Sequence, residues 1–288
     1  MKFILIIFSI LIFSFTIISC KTSTSTTTDN STITELYVSV GYSGTILTSS
    51  DGITWTERTS GISNYLYEVT YGNGLFVTVG YSGTILTSSG GTTWTERTSG
   101  TSKYLLGVTY GNGLFVTVGY LGTILTSPDG TTWTERSPGI SYGLYKATYG
   151  NGTFVTVGEK GTIFTSPDGT TWTERISGTS ENLYGVTYGN GTFVSVGRNG
   201  TILTSPDGIT WTERNSGISK RLLGVTYGNG TFLSVGWEET ILTSPDGTTW
   251  TERTSGTSNY LYEVTYGNST FVSVGRNGTI LTSPDGIT

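Results

Sequence analysis

The chain has no histidine and only one cysteine among its 288 residues. Without imidazole or a second thiol, Ser-His-Asp and Cys-His catalysis are excluded, as are the common zinc sites. No cofactor or metal is therefore expected. Basic residues number 15 against 20 acidic ones, a net charge of −5, and no Lys/Arg run tracks a phosphate backbone. Nucleic acid is accordingly not expected as a partner. Helical periodicity is missing beyond the N-terminus. Proline is scarce at six, whereas 42 glycines, 12% aromatic residues and abundant threonine favour short strands joined by tight turns.

The first 20 residues, MKFILIIFSILIFSFTIISC, stand apart. Lys2 precedes an apolar stretch from Phe3 to Ile18, which is short for a bilayer span and placed as an export signal is. Ile17-Ile18-Ser19-Cys20 resembles the bacterial lipobox, which implies cleavage ahead of Cys20 and lipidation of its thiol. Residues 21–32, KTSTSTTTDNST, read as a flexible tether. The expected organisation is a signal peptide over 1–20, a tether over 21–32 and a folded domain over 33–288, held to a membrane of the bacterial cell envelope by a lipid on Cys20.

Beyond the tether one unit repeats. Trp55, Trp94, Trp133, Trp172, Trp211 and Trp250 recur every 39 residues without slippage, and a Val-Gly pair keeps the same period from Val40-Gly41 to Val274-Gly275. In the third unit the strand candidates are a (LLGVTYG, 105–111), b (LFVTVG, 114–119), c (GTILTS, 122–127) and d (TTWTER, 131–136). Gly-Asn-Gly links a to b and Pro-Asp-Gly links c to d, both turn formers. Four short strands per unit predict an all-β, seven-bladed β-propeller. Strands b and c occur seven times but a and d six times each, so the first and last blades are expected to be incomplete. Thr32–Leu36 resembles Thr-Trp-Thr-Glu-Arg and is the candidate for the missing strand d of the last blade.

Ser127-Pro128-Asp129-Gly130-Thr131-Thr132-Trp133 resembles the Asp box, or BNR repeat, in a form one residue shorter between Asp and Trp. The same form surrounds Asp51, Asp168, Asp207, Asp246 and Asp285, with Gly90 in place of Asp in the second copy. The resemblance extends to sialidases, sortilin-type receptors and photosystem II assembly factor-like propellers, and it implies fold more than function. Physically, a turn Asp accepts backbone N–H bonds just ahead of it, and the Trp that follows wedges between blades. Both roles are structural. A sialidase would, by its family pattern, need an Arg-Ile-Pro segment, which is absent, and its catalytic blades would differ from one another, whereas these are nearly identical. Only Glu68 with Glu263, or Glu159 with Glu238, offer carboxylate pairs off the repeat. A glycosidase is the least favoured reading.

The copies disagree at two connections. The b–c turn holds Tyr42, Tyr81, Tyr120, Glu159-Lys160, Arg198, Trp237-Glu238 and Arg276; the d–a connection holds Tyr65, Lys103-Tyr104, Tyr142, Arg221 and Tyr260. On an up-and-down blade these share one face, opposite the Asp turns. Tyr, Trp and Arg there are the composition of a contact surface. Strand a adds Glu68, Lys146 and Glu263, expected to line the central channel. The reading is a non-catalytic, monomeric binding platform for a protein or peptide. The alternative is a multivalent lectin stacking sugars on aromatic tips.

Overall fold

The computed structural model describes residues 16–22 and 34–287, with side chains from Leu36 onward. The signal and tether readings over 1–15 and 23–32 lie outside the described residues. Seven antiparallel sheets follow one another along the chain. Blade I contains β1 (Thr16–Thr22), β2 (Thr34–Val40), β3 (Ile46–Ser49) and β4 (Thr56–Arg58) in that spatial order. Blades II to VI repeat it, with strands a beginning at Leu66, Leu105, Leu144, Leu183 and Leu222. Blade VII has three strands, Leu261–Gly267, Thr270–Gly275 and Ile280–Ser283. β1 lies against the first strands of both blade II and blade VII, which closes the ring into a seven-bladed propeller.

Two expectations are corrected. Blade I is four-stranded, because Thr16–Thr22 pairs along its whole length with β2, from Thr16↔Val40 to Thr22↔Thr34. The β-branched Thr-Ile-Ile run suits a strand as well as it suits a signal segment. Thr34–Leu36 is not the outer strand of blade VII. It extends β2 of blade I, because a strand's backbone pairs wherever a partner continues.

Each hydrophobic cluster spans two consecutive blades. Val77, Val79 and Ile85 of blade II meet Leu105, Phe115, Leu125 and Trp133 of blade III, and the pattern recurs around the ring. The seam between blades VII and I is thinner: Tyr37, Val272 and Val274 are its fully buried members, flanked by Trp55 and Ile280. The Tyr37 hydroxyl reinforces it by donating to the Gly267 carbonyl at 2.5 Å.

The Asp turn holds the c–d hairpin of blades I and III to VI. Asp51 Oδ1 accepts from the N–H groups of Ile53 and Thr54 at 2.8 and 2.7 Å, and Ser49 Oγ accepts from Gly52 N–H at 2.8 Å. Trp55 Nε1 donates to the Gly52 carbonyl at 3.1 Å. These N–H donors hold the Asp51 carboxyl down at about 2. Asp129, Asp168 and Asp246 are lowered as well, first by the threonine hydroxyl two residues on, then by the backbone. Gly90 keeps only the serine half of the turn, with Gly91 N–H donating to Ser88 Oγ at 2.8 Å. Strand d is tied down by its arginine: Arg58 Nε donates to Thr48 Oγ1 at 2.8 Å, and blades II, IV, V and VI repeat the bond.

Candidate functional site

The b–c connection folds as a single 3₁₀ turn in blades I–V and VII. The first N–H of that turn donates to the carbonyl just ahead of strand a of the same blade. Tyr81 bonds Tyr65 at 2.8 Å, Tyr120 bonds Tyr104 at 2.9 Å, Trp237 bonds Arg221 at 2.9 Å and Arg276 bonds Tyr260 at 2.8 Å. In blades II to VII both variable segments are thus pinned side by side at one end of the blade, with the c–d turns at the other.

Across blades I–III the tips form a tyrosine ladder. Tyr42 stacks on Tyr65 at 4.3 Å, Tyr65 meets Tyr81 edge-on at 6.1 Å, Tyr81 meets Tyr104 at 4.4 Å, and Tyr104 meets Tyr120 at 5.2 Å. The contacts fall in the range of favourable aromatic pairs. Blades IV and V are charged instead. Lys160 sits over the Tyr142 ring at 4.5 Å, and Arg198 approaches Glu181 at 3.9 Å.

The ring's other aromatic group is on blades VI and VII. Trp237 and Tyr260 stack nearly parallel, 5.1 Å apart and 5° from coplanar. Arg221 lies 4.0 Å over Trp237, and Arg276 lies 5.7 Å over Tyr260. Four side chains from two blades therefore form one Arg–Trp–Tyr–Arg pile, held by stacking and cation–π attraction.

Beside it, Glu238 and Glu239 both adopt positive φ, 51° and 60°. The other blades place glycine at the second position, where a side chain is strained and space is tight: a Cβ on Gly83 would lie 1.9 Å from the Thr101 carbonyl oxygen. Backbone strain retained against a ready glycine alternative is associated with function. Glu239→Gly is expected to raise stability by about 1 kcal/mol in urea unfolding by relieving this strain.

At the axis, Glu68, Lys146 and Glu263 come together from blades II, IV and VII. Lys146 Nζ donates to Glu68 Oε2 and to Glu263 Oε2. The three side chains are 8–15% exposed. Burial raises the Glu68 carboxyl to about 7, against the pull of Lys146 and with the help of Glu263. For Lys146 burial acts downward, but the carboxylates of Glu263 and Glu68 outweigh it and raise the ammonium. Glycine at the matching position of blades III, V and VI lets strands a pack directly together: a Cβ on Gly224 would sit 2.8 Å from Glu263 Oε1.

One row of residues escaped the sequence reading. In blades II to VII a bulge interrupts strand a after its first leucine, so Tyr67, Leu106, Tyr145, Tyr184, Leu223 and Tyr262 have no partner on strand b. Tyr145 donates to Glu159 Oε1 at 3.1 Å and stacks on Tyr184 at 5.5 Å. Burial raises the Tyr67 hydroxyl, with smaller contributions from Tyr104, Tyr120, Tyr81 and Tyr65. The alternation of Tyr and Leu at this position among the copies was the available signal.

No protein-family model matches the sequence, and no curated protein matches it. Solved structures do. YCF48 from Cyanidioschyzon merolae superposes with a TM-score of 0.67 at 18% identity, covering 86% of this chain and 90% of that one. A structure of YCF48 bound to D1 peptide gives 0.71 at 18% identity, covering 88% of each chain. The WD40 β-propeller domain of Doa1 gives 0.71 at 14% identity, covering 88% and 91%. These are likenesses of fold.

Proposed function

We propose that the chain is a non-catalytic binding platform whose variable-loop face takes a protein or peptide. The observation that carries this reading is the Arg221–Trp237–Tyr260–Arg276 pile. It presents the residue types that dominate protein interfaces, already ordered before any partner arrives. A propeller-like neighbour of 18% identity bound to a peptide supports it at the level of fold. The lectin alternative is weakened by the same pile: sugar stacking needs an open ring face, and Trp237 and Tyr260 already carry each other and a guanidinium apiece.

The test is capture from envelope extract by the wild-type chain and by Trp237→Ala, Tyr81→Ala and Arg198→Glu. Trp237→Ala is expected to weaken the captured partner at least about tenfold, whereas Asp129→Ala on the opposite face leaves it unchanged. Capture indifferent to all three face substitutions would sink the variable-face reading. Saturable binding on a glycan array, abolished by Trp237→Ala and Tyr81→Ala, would replace it with the lectin.

The proposal extends to a variant Asp-box repeat, on the strength of the turn's hydrogen bonding, and to a bacterial envelope lipoprotein anchored at Cys20. Cleavage ahead of Cys20 would remove Thr16–Ser19, leaving only Cys20–Thr22 of β1 paired with Thr34–Leu36. Incorporation of a clickable fatty acid, lost in Cys20→Ala together with membrane fractionation, is the expected result. An unmodified mature chain beginning before Thr16 would refute the anchor.

A further inference from the structure

The aromatic loop tips are of two kinds. Outside the tyrosine ladder each ring carries a cation: Lys160 on Tyr142 at 4.5 Å, Arg221 on Trp237 at 4.0 Å and Arg276 on Tyr260 at 5.7 Å. Within the ladder, Tyr65, Tyr81, Tyr104 and Tyr120 meet other tyrosines. Among the described residues no lysine or arginine lies over these four rings. Lys103 is the one charged residue at the variable positions of this sector.

The two kinds occupy equivalent places. Tyr42 on Tyr65 and Trp237 on Tyr260 each stack a b–c residue on the d–a residue that leads into the next blade. The Arg276 N–H donates to the Tyr260 carbonyl as the Tyr81 N–H donates to that of Tyr65, both at 2.8 Å. Where blade VII sets a guanidinium over a tyrosine, blade II sets a second tyrosine edge-on. A carboxylate stands at the far end of the ladder. Glu159, the b–c residue of blade IV, accepts from the Tyr145 hydroxyl at 3.1 Å. Burial first, then this carboxylate, raises the Tyr120 hydroxyl. Among the described residues no lysine or arginine pairs with Glu159. Gly143, in the place of Tyr65 and Tyr104, leaves it room, since a Cβ there would stand 3.1 Å from Glu159 Oε1.

From this arrangement we infer that the tyrosine ladder and Glu159 form a site for an arginine side chain on a basic peptide segment of the partner. The inference rests on the reading of the variable face as a peptide platform and gives the chemistry of what it takes. The guanidinium lies on a tyrosine face, as Arg221 lies on Trp237, and turns its planar fork of donors to the Glu159 carboxylate. The phenols stay neutral: a bond to Tyr42, then burial, raises the Tyr65 hydroxyl, and a bond to Tyr81, then burial, raises that of Tyr104. The attraction is therefore to ring quadrupoles and one carboxylate. A net charge of −5 favours the approach of such a segment.

The experiment is titration of the full chain with a fluorescent peptide of sequence GSRGSRGS, followed by anisotropy, beside versions with citrulline or lysine for arginine. Saturable binding of the arginine peptide is expected. The citrulline version keeps the shape without the charge and should bind at least about tenfold more weakly. Lysine should also bind more weakly than arginine, since an ammonium has no planar fork. Glu159→Gln, which keeps an acceptor for Tyr145, should weaken the arginine peptide about tenfold. Tyr81→Leu, at a ring 39% exposed, should weaken it about threefold or more. Asp129→Asn on the opposite face should leave it unchanged. Equal binding of the citrulline peptide would overturn the inference. Binding indifferent to both Glu159→Gln and Tyr81→Leu would also overturn it, as nonspecific attraction to an acidic chain. Capture of an envelope partner through Trp237 by a chain that refuses the arginine peptide would overturn it too, while leaving the platform reading intact.

Discussion

Lys146→Met is expected to destabilise the ring by about 3–5 kcal/mol at pH 8, measured by urea unfolding. The substitution leaves the Glu68 and Glu263 carboxylates buried without their shared cation, and breaking a buried pair costs far more than the pair contributes. The cost should shrink at pH 5, where the raised Glu68 carboxyl takes up a proton. The wild type carries a milder version of this dependence. A Glu68 carboxyl raised from 4.5 to about 7 binds more protons folded than unfolded between those values, so stability falls as pH rises through 7. The full span amounts to about 3 kcal/mol, and Glu68→Gln should flatten it. The Asp turns work in the opposite sense. Their carboxyls are lowered, so what they contribute is present at neutral pH and lost as pH falls from about 4 toward 2. Unchanged pH dependence in Glu68→Gln would show that the axial carboxyl does not titrate as described.

The second large effect is at a glycine. In blades II to VI the Tyr-Gly pair that ends strand a seats the tyrosine of the next blade directly on the glycine. A Cβ on Gly150 would stand 2.1 Å from Cγ of Tyr188, and the same contact joins Gly72 to Tyr110, Gly111 to Tyr149 and Gly228 to Tyr266. The tyrosine cannot step aside, because its ring also packs on the phenylalanine of its own blade, 4.6 Å away for Tyr188 and Phe193. Gly150→Ala is therefore expected to cost about 3 kcal/mol, at the upper end of overpacking. Gly152→Ala, two residues on, meets nothing within 4 Å and suffers only from its φ of +74°. It should cost about 1 kcal/mol. Similar losses for the two in thermal unfolding would mean that the Tyr-on-Gly contact is not what limits this site.

The architecture was legible because the repeat is nearly exact. A fixed 39-residue period and two invariant turns determine strand order, and strand order determines which loops share a face. The axial residues were legible for a related reason: Glu68, Lys146 and Glu263 are departures at one register position of the innermost strand, and equivalent positions of a closed ring converge. Other features depended on information that a repeat does not contain. The role of Thr16–Thr22 as an inner strand has no sister to be compared with, since its sequence matches no other strand a. The tyrosines of the bulge were missed because a period of two assigns neighbouring residues to opposite faces, and the bulge breaks that period between Leu66 and Glu68. The pairing of Trp237 with Tyr260 joins two blades through side-chain geometry that neither loop encodes alone.

Blades this alike create an ambiguity that most folds never face. Any blade's wedge fits the hydrophobic face of nearly any other, so the interfaces alone would accept rings with a blade omitted, or rings assembled from two chains. The axial charges restrict the first of these. Dropping blade IV leaves two carboxylates in the interior with no cation, and dropping blade II or VII takes one of the two partners from Lys146. Three residues at unequal intervals around the ring thus act as a key for keeping blades II, IV and VII together, in a sequence whose remaining contacts hardly distinguish one blade from the next.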